Sequence, residues 1–373
     1  MRDLLVTTHT PVLRSGQAVR TYGVARALAA NGGLTLLYTR FGAPEPDSAF
    51  RAIPGIELRA VVPSRGARRL LAYGKARLNG VPAGFARGIS GELAAEAARL
   101  AQAPDRGRVI ADGPIAAAAL ARLADTHPVI YNAHNLESSF RHELTDRGAR
   151  ERDSLREFER RLLERSEESW MVSHADIAAA RELSPNAHLR YVPNVVDVEA
   201  IAPVEPNSQA ARAIFVASFA YEPNRAALRF LLDDVFPRVW DALPDARLAL
   251  VGAGLEHAPS QDPRVETLGF VEDLRATYAS ASCAVVPLLQ GGGTPLKFIE
   301  ALAYGLPVIA TPRAAAGLEV RDGEHCLIAA DGEAFAAALI RVLGAGAGDL
   351  ARNGRALAER SYSIATLRAL LAA

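Results

Sequence analysis

Lysine is almost missing from this chain. Of 42 basic residues only Lys75 and Lys297 are lysines, the rest being arginine. With alanine abundant as well, this reads as a compositional bias toward Arg and Ala codons, against which a lysine at a structured position is mildly informative. Cysteine is scarce too: Cys283 and Cys326 lie far apart in apolar, strand-like runs. They read as buried small hydrophobes and form neither a metal site nor a disulfide framework. Net charge is zero, with 42 acidic residues against 42 basic, which removes any global pull toward nucleic acid. No segment approaches the length that crosses a bilayer, and the apolar stretch near Met1 is too short for a signal peptide. A cytoplasmic location is expected.

What is present is ample apolar material, half of 373 residues, enough for two cores and hence two domains. The chain is organised around Gln290-Gly-Gly-Gly-Thr-Pro-Leu-Lys-Phe-Ile-Glu300. The apolar run Cys283–Leu289 before it is short enough for a buried strand. Three glycines turn the backbone, Thr294 stands where an N-cap belongs, and Pro295 takes the first helical position. The helix is expected to reach Tyr304, where Gly305-Leu-Pro307 stops it. Strand, glycine turn and helix N-terminus bind anionic phosphate, because amide N–H groups and the positive helix end converge there. On this helix Leu296, Ile299 and Ala303 share a face that packs on the sheet. Lys297, Glu300 and Tyr304 share another. Lys297 could neutralise a phosphate and Glu300 could accept from a ribose diol; alternatively the two form an exposed i,i+3 ion pair.

Strands and helices alternate along both halves. Strands are expected at Leu4–Thr8, Leu34–Thr39, Ile56–Val62, Arg108–Ala111, Pro128–Asn132, Met171–Ser173 and Leu189–Val192, with a charged amphipathic helix from Gly148 to Trp170. Residues 193–210 are Pro- and Asn-rich and read as a linker between domains 1–192 and 211–359, with the tail 360–373 available to pack back on the first. The second half repeats the alternation, including a helix from Asn224 to about Trp240. Two open parallel sheets covered by helices follow, with ligands expected at the carboxyl ends of the strands. Gly252-Ala-Gly254 is a strand-end G-x-G without the third glycine and reads as a turn after a buried strand. Residues 65–87 carry Arg65, Arg68, Arg69, Lys75, Arg77 and Arg87 and no acid. This part-helical stretch could lie on an anionic membrane or be a solvated face.

These residues resemble a retaining glycosyltransferase of the two-Rossmann-domain (GT-B) type, in the large nucleotide-sugar family of bacterial mannosyl-, glucosyl- and N-acetylglucosaminyltransferases. The carrying stretches are Gly293–Ile309, Val192–Asp197, Leu268–Arg275 and Phe215–Asn224, with Tyr131–Glu137 in the first half. The resemblance implies an α/β GT-B fold and a UDP- or GDP-linked sugar as co-substrate, with no other cofactor. It implies that Glu300 holds the donor ribose and that Gly269, Phe270 and Val271 meet the base through backbone groups. Gly16 and Arg20 would approach the diphosphate, and His134 would sit over the donor sugar. Two departures stand out. Of the family's two glutamates separated by seven residues, the first falls on Gly292, so sugar recognition passes to backbone N–H groups of Gly292, Gly293 and Thr294. The arginine usual after the second domain's first strand is replaced by Ala217-Ser-Phe219, leaving Lys297, or Arg225, as the charge on the leaving diphosphate.

No Asp-x-Asp triplet occurs anywhere, so metal-independent transfer is expected, with Lys297 and the helix N-terminus stabilising the leaving group. The acceptor, whether glycan, lipid carrier or small molecule, stays open. Two other readings stand beside transfer: a GT-B epimerase of UDP-N-acetylglucosamine, and a catalytically silent sugar-nucleotide-binding subunit of a membrane-associated assembly.

Overall fold

Leu34-Thr-Leu-Leu-Tyr-Thr39 is buried along its whole length, as a strand covered by helices on both faces must be. It is the second strand of the first of two sheets in the computed structural model, which describes all residues except 14, 43–44, 140–148, 256–258 and 373. Among the described residues this sheet has seven parallel strands: β1 (Arg2–Thr7), β2 (Leu34–Thr39), β3 (Ile56–Val61), β4 (Arg106–Asp112), β5 (Val129–Asn132), β6 (Glu168–Met171) and β7 (Leu189–Tyr191), in the order β3-β2-β1-β4-β5-β6-β7. The order reverses between β1 and β4, which pair from Leu4↔Val109 to Thr7↔Asp112.

The second sheet holds β8 (Arg212–Val216), β9 (Arg247–Val251), β10 (Val265–Gly269), β11 (Cys283–Val286), β12 (Val308–Ala310) and β13 (Leu327–Ile328), in the order β10-β9-β8-β11-β12-β13. Its reversal lies between β8 and β11. Each reversal splays the two chain exits apart and opens a crevice at the carboxyl ends of the strands. Both cysteines are buried in the second sheet's core.

The chain divides into two compact units, Met1–Asn194 with Ile364–Ala373, and Val195–Ser363. In the first, the last helix, Ile364–Ala372, packs on the helix Gly16–Gly32, where Asn31 Nδ2 donates to the Arg368 carbonyl at 3.1 Å. In the second, the Pro- and Asn-rich stretch is tied down, with Val196, Val198 and Val204 buried and the Val204 N–H donating to the Tyr304 carbonyl at 2.8 Å.

Several element boundaries differ from those expected, two of them by more than a few residues or by an added feature. The charged helix runs only over Ala149–Arg165, and Gly148, its expected start, lies outside the described residues. Trp170 belongs to β6 instead, fully buried between Ser169 and Met171. Its aromatic bulk extends the helical apolar pattern, but Ser166-Glu-Glu-Ser169 before it carries no apolar stripe, and the Glu167 N–H donates to the Val129 carbonyl at 2.9 Å, drawing the chain into the sheet. The helix expected over 224–240 starts at Glu222 and ends at Ala242, with a π-helical turn at Leu231–Val235 between its two α-helical parts.

Candidate functional site

In the second unit the crevice is built by the segments leaving β8 and β11. After β11 the chain passes through Gly291 and Gly293, with φ of 118° and 68°, values open to glycine and little else. Gly292 between them is exposed and has no positive φ. Arg313 donates to the Gly291 carbonyl and Thr311 Oγ1 to that of Leu288, which fixes the turn from below. The helix then spans Leu296–Ala303 with Pro295 as its cap residue and no side chain closing it. It therefore begins one residue later than expected. Pro295 keeps an extended ψ of 113°, and Thr294 is buried instead of capping.

The buried face of this helix is Phe298, Ile299, Ala301, Leu302 and Ala303, while Leu296 is only partly covered. Lys297 and Glu300 do not meet. Lys297 Nζ reaches back to the end of β8, donating to Asn224 Oδ1 at 2.5 Å and standing 5.1 Å from the Phe215 ring centre. Asn224 Nδ2 in turn donates to the Ser218 carbonyl at 2.7 Å. Burial pushes the lysine down to about 7, since a desolvated ammonium is disfavoured. Glu300 faces the other way, toward Tyr278 and Tyr304, whose rings stack at 4.5 Å. Burial raises its carboxyl to about 7. Among the described residues neither is in a salt bridge, so the surface ion pair is not formed.

Arg225 stands half exposed at the rim, paired with Glu222 at 2.5 Å and donating to the Phe219 and Ala220 carbonyls. Gly269 ends β10 with φ 65°, followed by an exposed Phe270 and a partly buried Val271. Gly252-Ala-Gly254 has a packing explanation. A Cβ on Gly252 would lie 1.8 Å from the Ala217 carbonyl oxygen, and one on Gly254 2.5 Å from the Ala220 nitrogen.

In the first unit a polar network fills the crevice at the ends of β1, β4 and β5. Asp112 Oδ1 accepts from His134 Nε2 at 2.9 Å and from Asn132 Nδ2 at 2.8 Å, and Oδ2 accepts from Thr21 Oγ1 at 2.6 Å. Burial alone would raise this carboxyl, but the charge of His134 and the bonds from His134 and Thr21 outweigh it and hold it well below the usual range. Gly16 is exposed at the start of its helix, which Ser15 caps.

Arg20, expected near the diphosphate, lies inside the first unit. It is 2% exposed, donating to the Val192 and Pro193 carbonyls, Asn194 Oδ1 and Asn132 Oδ1. Its two terminal nitrogens hold the end of β5 and the 192–194 segment in place, while its buried Nε has no hydrogen-bond partner among the described residues.

The sequence reading passed over Asp112, Asn132 and Asn224. A polar residue closing an apolar strand, Asp112 after Val109-Ile-Ala111 and Asn132 after Val129-Ile-Tyr131, is the signal that could have found two of them.

Two parallel α/β units, each with its crevice at a strand-order reversal, define the GT-B class of fold. The solved structures that resemble the chain over its full length have it. HepE of Anabaena, in complex with UDP and glucose, superposes with a TM-score of 0.70 at 14% identity, covering 99% of this chain and 98% of that one. Sucrose-phosphate synthase of Thermosynechococcus elongatus superposes at 0.74 with 17% identity, covering 100% and 97%. Within this fold, residues 210–345 match the model of the family described as group 1 glycosyl transferases, and the chain carries a domain of that family. A phosphatidyl-myo-inositol mannosyltransferase of Mycobacterium leprae is 33% identical over 132 residues, which span 33% of this chain and 35% of that protein.

Proposed function

We propose that the protein is a glycosyltransferase that moves a sugar from a nucleotide-sugar donor to an acceptor hydroxyl. The carrying observation is the separation of Lys297 and Glu300. One helix aims a partly buried ammonium, held by Asn224, at the β8 crevice and a partly buried carboxyl at the Tyr278–Tyr304 pair, and neither is neutralised by the other. Desolvated groups without a countercharge are costly without a ligand. A nucleoside diphosphate supplies both partners, phosphate for Lys297 and a ribose diol for Glu300.

The donor would sit on the second unit, with its base against Gly269, Phe270 and Val271 and its sugar against the amides of Gly292, Gly293 and Thr294. Structural neighbours solved with UDP support a UDP-linked donor, while a GDP-linked sugar fits the same contacts. The acceptor oxygen forms a bond to the anomeric carbon as the bond from that carbon to the phosphate oxygen breaks. The acceptor proton passes to the departing phosphate, which leaves as a nucleoside diphosphate. In this reading attack comes from the face of the leaving group, so configuration is retained. Lys297 takes the charge that develops on the diphosphate. His134, held by Asp112, steadies the oxocarbenium-like sugar. The lack of any Asp-x-Asp triplet supports transfer without a metal.

Among the described residues no single helix is long and apolar enough to cross a membrane. Peripheral contact is supported by the helix Ala67–Leu78, where Leu70, Leu71 and Leu78 are 72%, 59% and 89% exposed beside Arg68, Arg69, Lys75 and Arg77. Titration calorimetry with UDP and GDP tests the donor side. One nucleotide should bind the wild type, and Glu300→Ala should weaken it by about 1.5–3 kcal/mol. Equal affinity in the variant would remove Glu300 from the site.

A further inference from the structure

Three consecutive backbone N–H groups just after His134 end on buried carboxylates. The Leu136 N–H donates to Asp176 Oδ1 at 3.3 Å, the Glu137 N–H to Glu159 Oε1 at 2.6 Å and the Ser138 N–H to Glu159 Oε2 at 2.8 Å. Before the histidine, the Ala133 N–H donates to the Trp170 carbonyl at 3.0 Å. The backbone is therefore held on both sides of His134, while Asp112 holds its ring at Nε2.

Glu159 is the polar exception on its own helix. It lies in the buried stripe of Ala149–Arg165, among Leu155, Phe158, Leu162 and Leu163, and is 1% exposed. Among the described residues no cation pairs with it, and backbone N–H groups satisfy it instead. A carboxylate in such a stripe is costly unless its oxygens are hydrogen-bonded, and here each oxygen takes one N–H. A Gln would turn its amide NH2 toward one of the two donors. A protonated Glu would give up the charge that strengthens both bonds.

We infer that Glu159 is a positioning residue for sugar transfer: its carboxylate grips the Glu137 and Ser138 N–H groups together and so fixes the segment that presents His134. The inference rests on the transferase reading above, and it adds a residue that acts through His134. Protonation sets the grip. Burial raises the Glu159 carboxyl to about 7 against the bonds from Ser138 and Glu137, which lower it, and the charge of Glu137 adds to the rise. The other groups that face it bring no countercharge. They are Tyr131 on β5 and Asp176 on the helix His174–Leu183, and Arg20 acts on that tyrosine and that aspartate. The helices Ala83–Ala86 and Pro114–Ala119, which also pack on this helix, carry no titratable side chain. The full grip therefore holds above about pH 7 and weakens below it.

Amide-resolved NMR on the full chain follows the Glu137 and Ser138 N–H groups between about pH 6 and about pH 8. In the wild type both should shift together with a midpoint near 7, and in Glu159→Gln neither should titrate. His134→Gln should leave that titration in place, which separates Glu159 from protonation of the histidine. At pH 8, Glu159→Gln should lower kcat on the order of tenfold to a hundredfold with the donor KM and the thermal midpoint unchanged, a split that a merely structural role would not give.

The inference is overturned if the two amides do not titrate, if they titrate equally in Glu159→Gln, or if that variant keeps the wild-type kcat. Loss of donor affinity and thermal stability along with kcat would make Glu159 a structural residue and overturn it as well. Should Glu159→Gln fail to fold, the wild-type titration carries the test, and flat amide shifts remove the grip. Calorimetry with UDP and GDP keeps the two readings apart. A wild type that binds neither nucleotide and transfers no sugar, while its amides still follow Glu159, sinks the transferase reading and leaves the hold on the His134 segment standing.

Discussion

Lys297 and Glu300 are three residues apart, yet desolvation holds each off its ordinary protonation and neither has a countercharge. Glu300 titrates near 7 when folded, against 4.5 when unfolded. The folded chain therefore binds more protons between those values, and this residue's contribution to stability falls as pH rises from about 4.5 to about 7. Glu300→Gln should raise unfolding stability by about 1–3 kcal/mol at pH 8 and barely change it at pH 4, as denaturant titrations at both pH values would reveal. Lys297 runs in a different window. Its folded value near 7 against 10.5 means that the unfolded chain binds more protons between the two, so stability rises with pH across that range. An anion bound at pH 8 should restore the ammonium, and calorimetry in buffers of different ionisation enthalpy should register proton uptake that Lys297→Ala abolishes. Lys297→Ala should lower turnover more than nucleoside binding, because the charge develops in the transition state. Lys297→Arg should recover only part, a forked guanidinium being a poor substitute in a glycine-crowded turn. Lys297 is legible in the sequence because it is one of two lysines beside a glycine turn. Asp112 and Asn224 are ordinary residues until strand order makes β1 the neighbour of β4 and β8 of β11.

Whole elements were easier to read than single residues, for a physical reason. A parallel strand covered on both faces is a short apolar run, and Leu34–Thr39, Leu248–Val251 and Val308–Ala310 are all of that kind. Reading failed where apolar pattern and chain direction part company, as at Trp170, and where a cap depends on one ψ angle, as at Pro295. The π-helical turn at Leu231–Val235 left no mark in the sequence that we can identify. Glycines divide by what surrounds them. At Gly252, φ is 129° and a Cβ would run into the Ala217 carbonyl, so Gly252→Ala should cost about 3 kcal/mol or more. Gly292 is exposed without positive φ, so Gly292→Glu should alter stability by no more than about 0.5 kcal/mol. That variant should keep nucleotide affinity and change which donor sugar is used, as a panel of sugar nucleotides would report. Unfolding by Gly292→Glu would mean that the turn needs glycine at all three positions.

At the scale of the molecule, fold likeness extends over nearly the whole chain while the family match is confined to residues 210–345. Buried strands tolerate many apolar sequences, whereas the second unit's crevice needs particular residues at particular places. The first unit's basic helix also belongs to this scale. If Leu70 and Leu71 enter a lipid interface, Leu70→Glu with Leu71→Glu should abolish sedimentation with vesicles rich in anionic phosphatidylglycerol, and high salt should weaken the wild type. Binding that survives both would make the helix a solvated face. The measurement closest to the central claim follows anomeric protons by NMR. The purified chain is given UDP- and GDP-hexoses and a set of hydroxylated acceptors in the presence of EDTA. The account predicts nucleoside diphosphate release together with a new glycoside of the donor's anomeric configuration, both lost in Lys297→Ala. Release that requires added magnesium or manganese and tolerates Lys297→Ala, a product of inverted configuration, or sugar nucleotides left unbound and intact would contradict it.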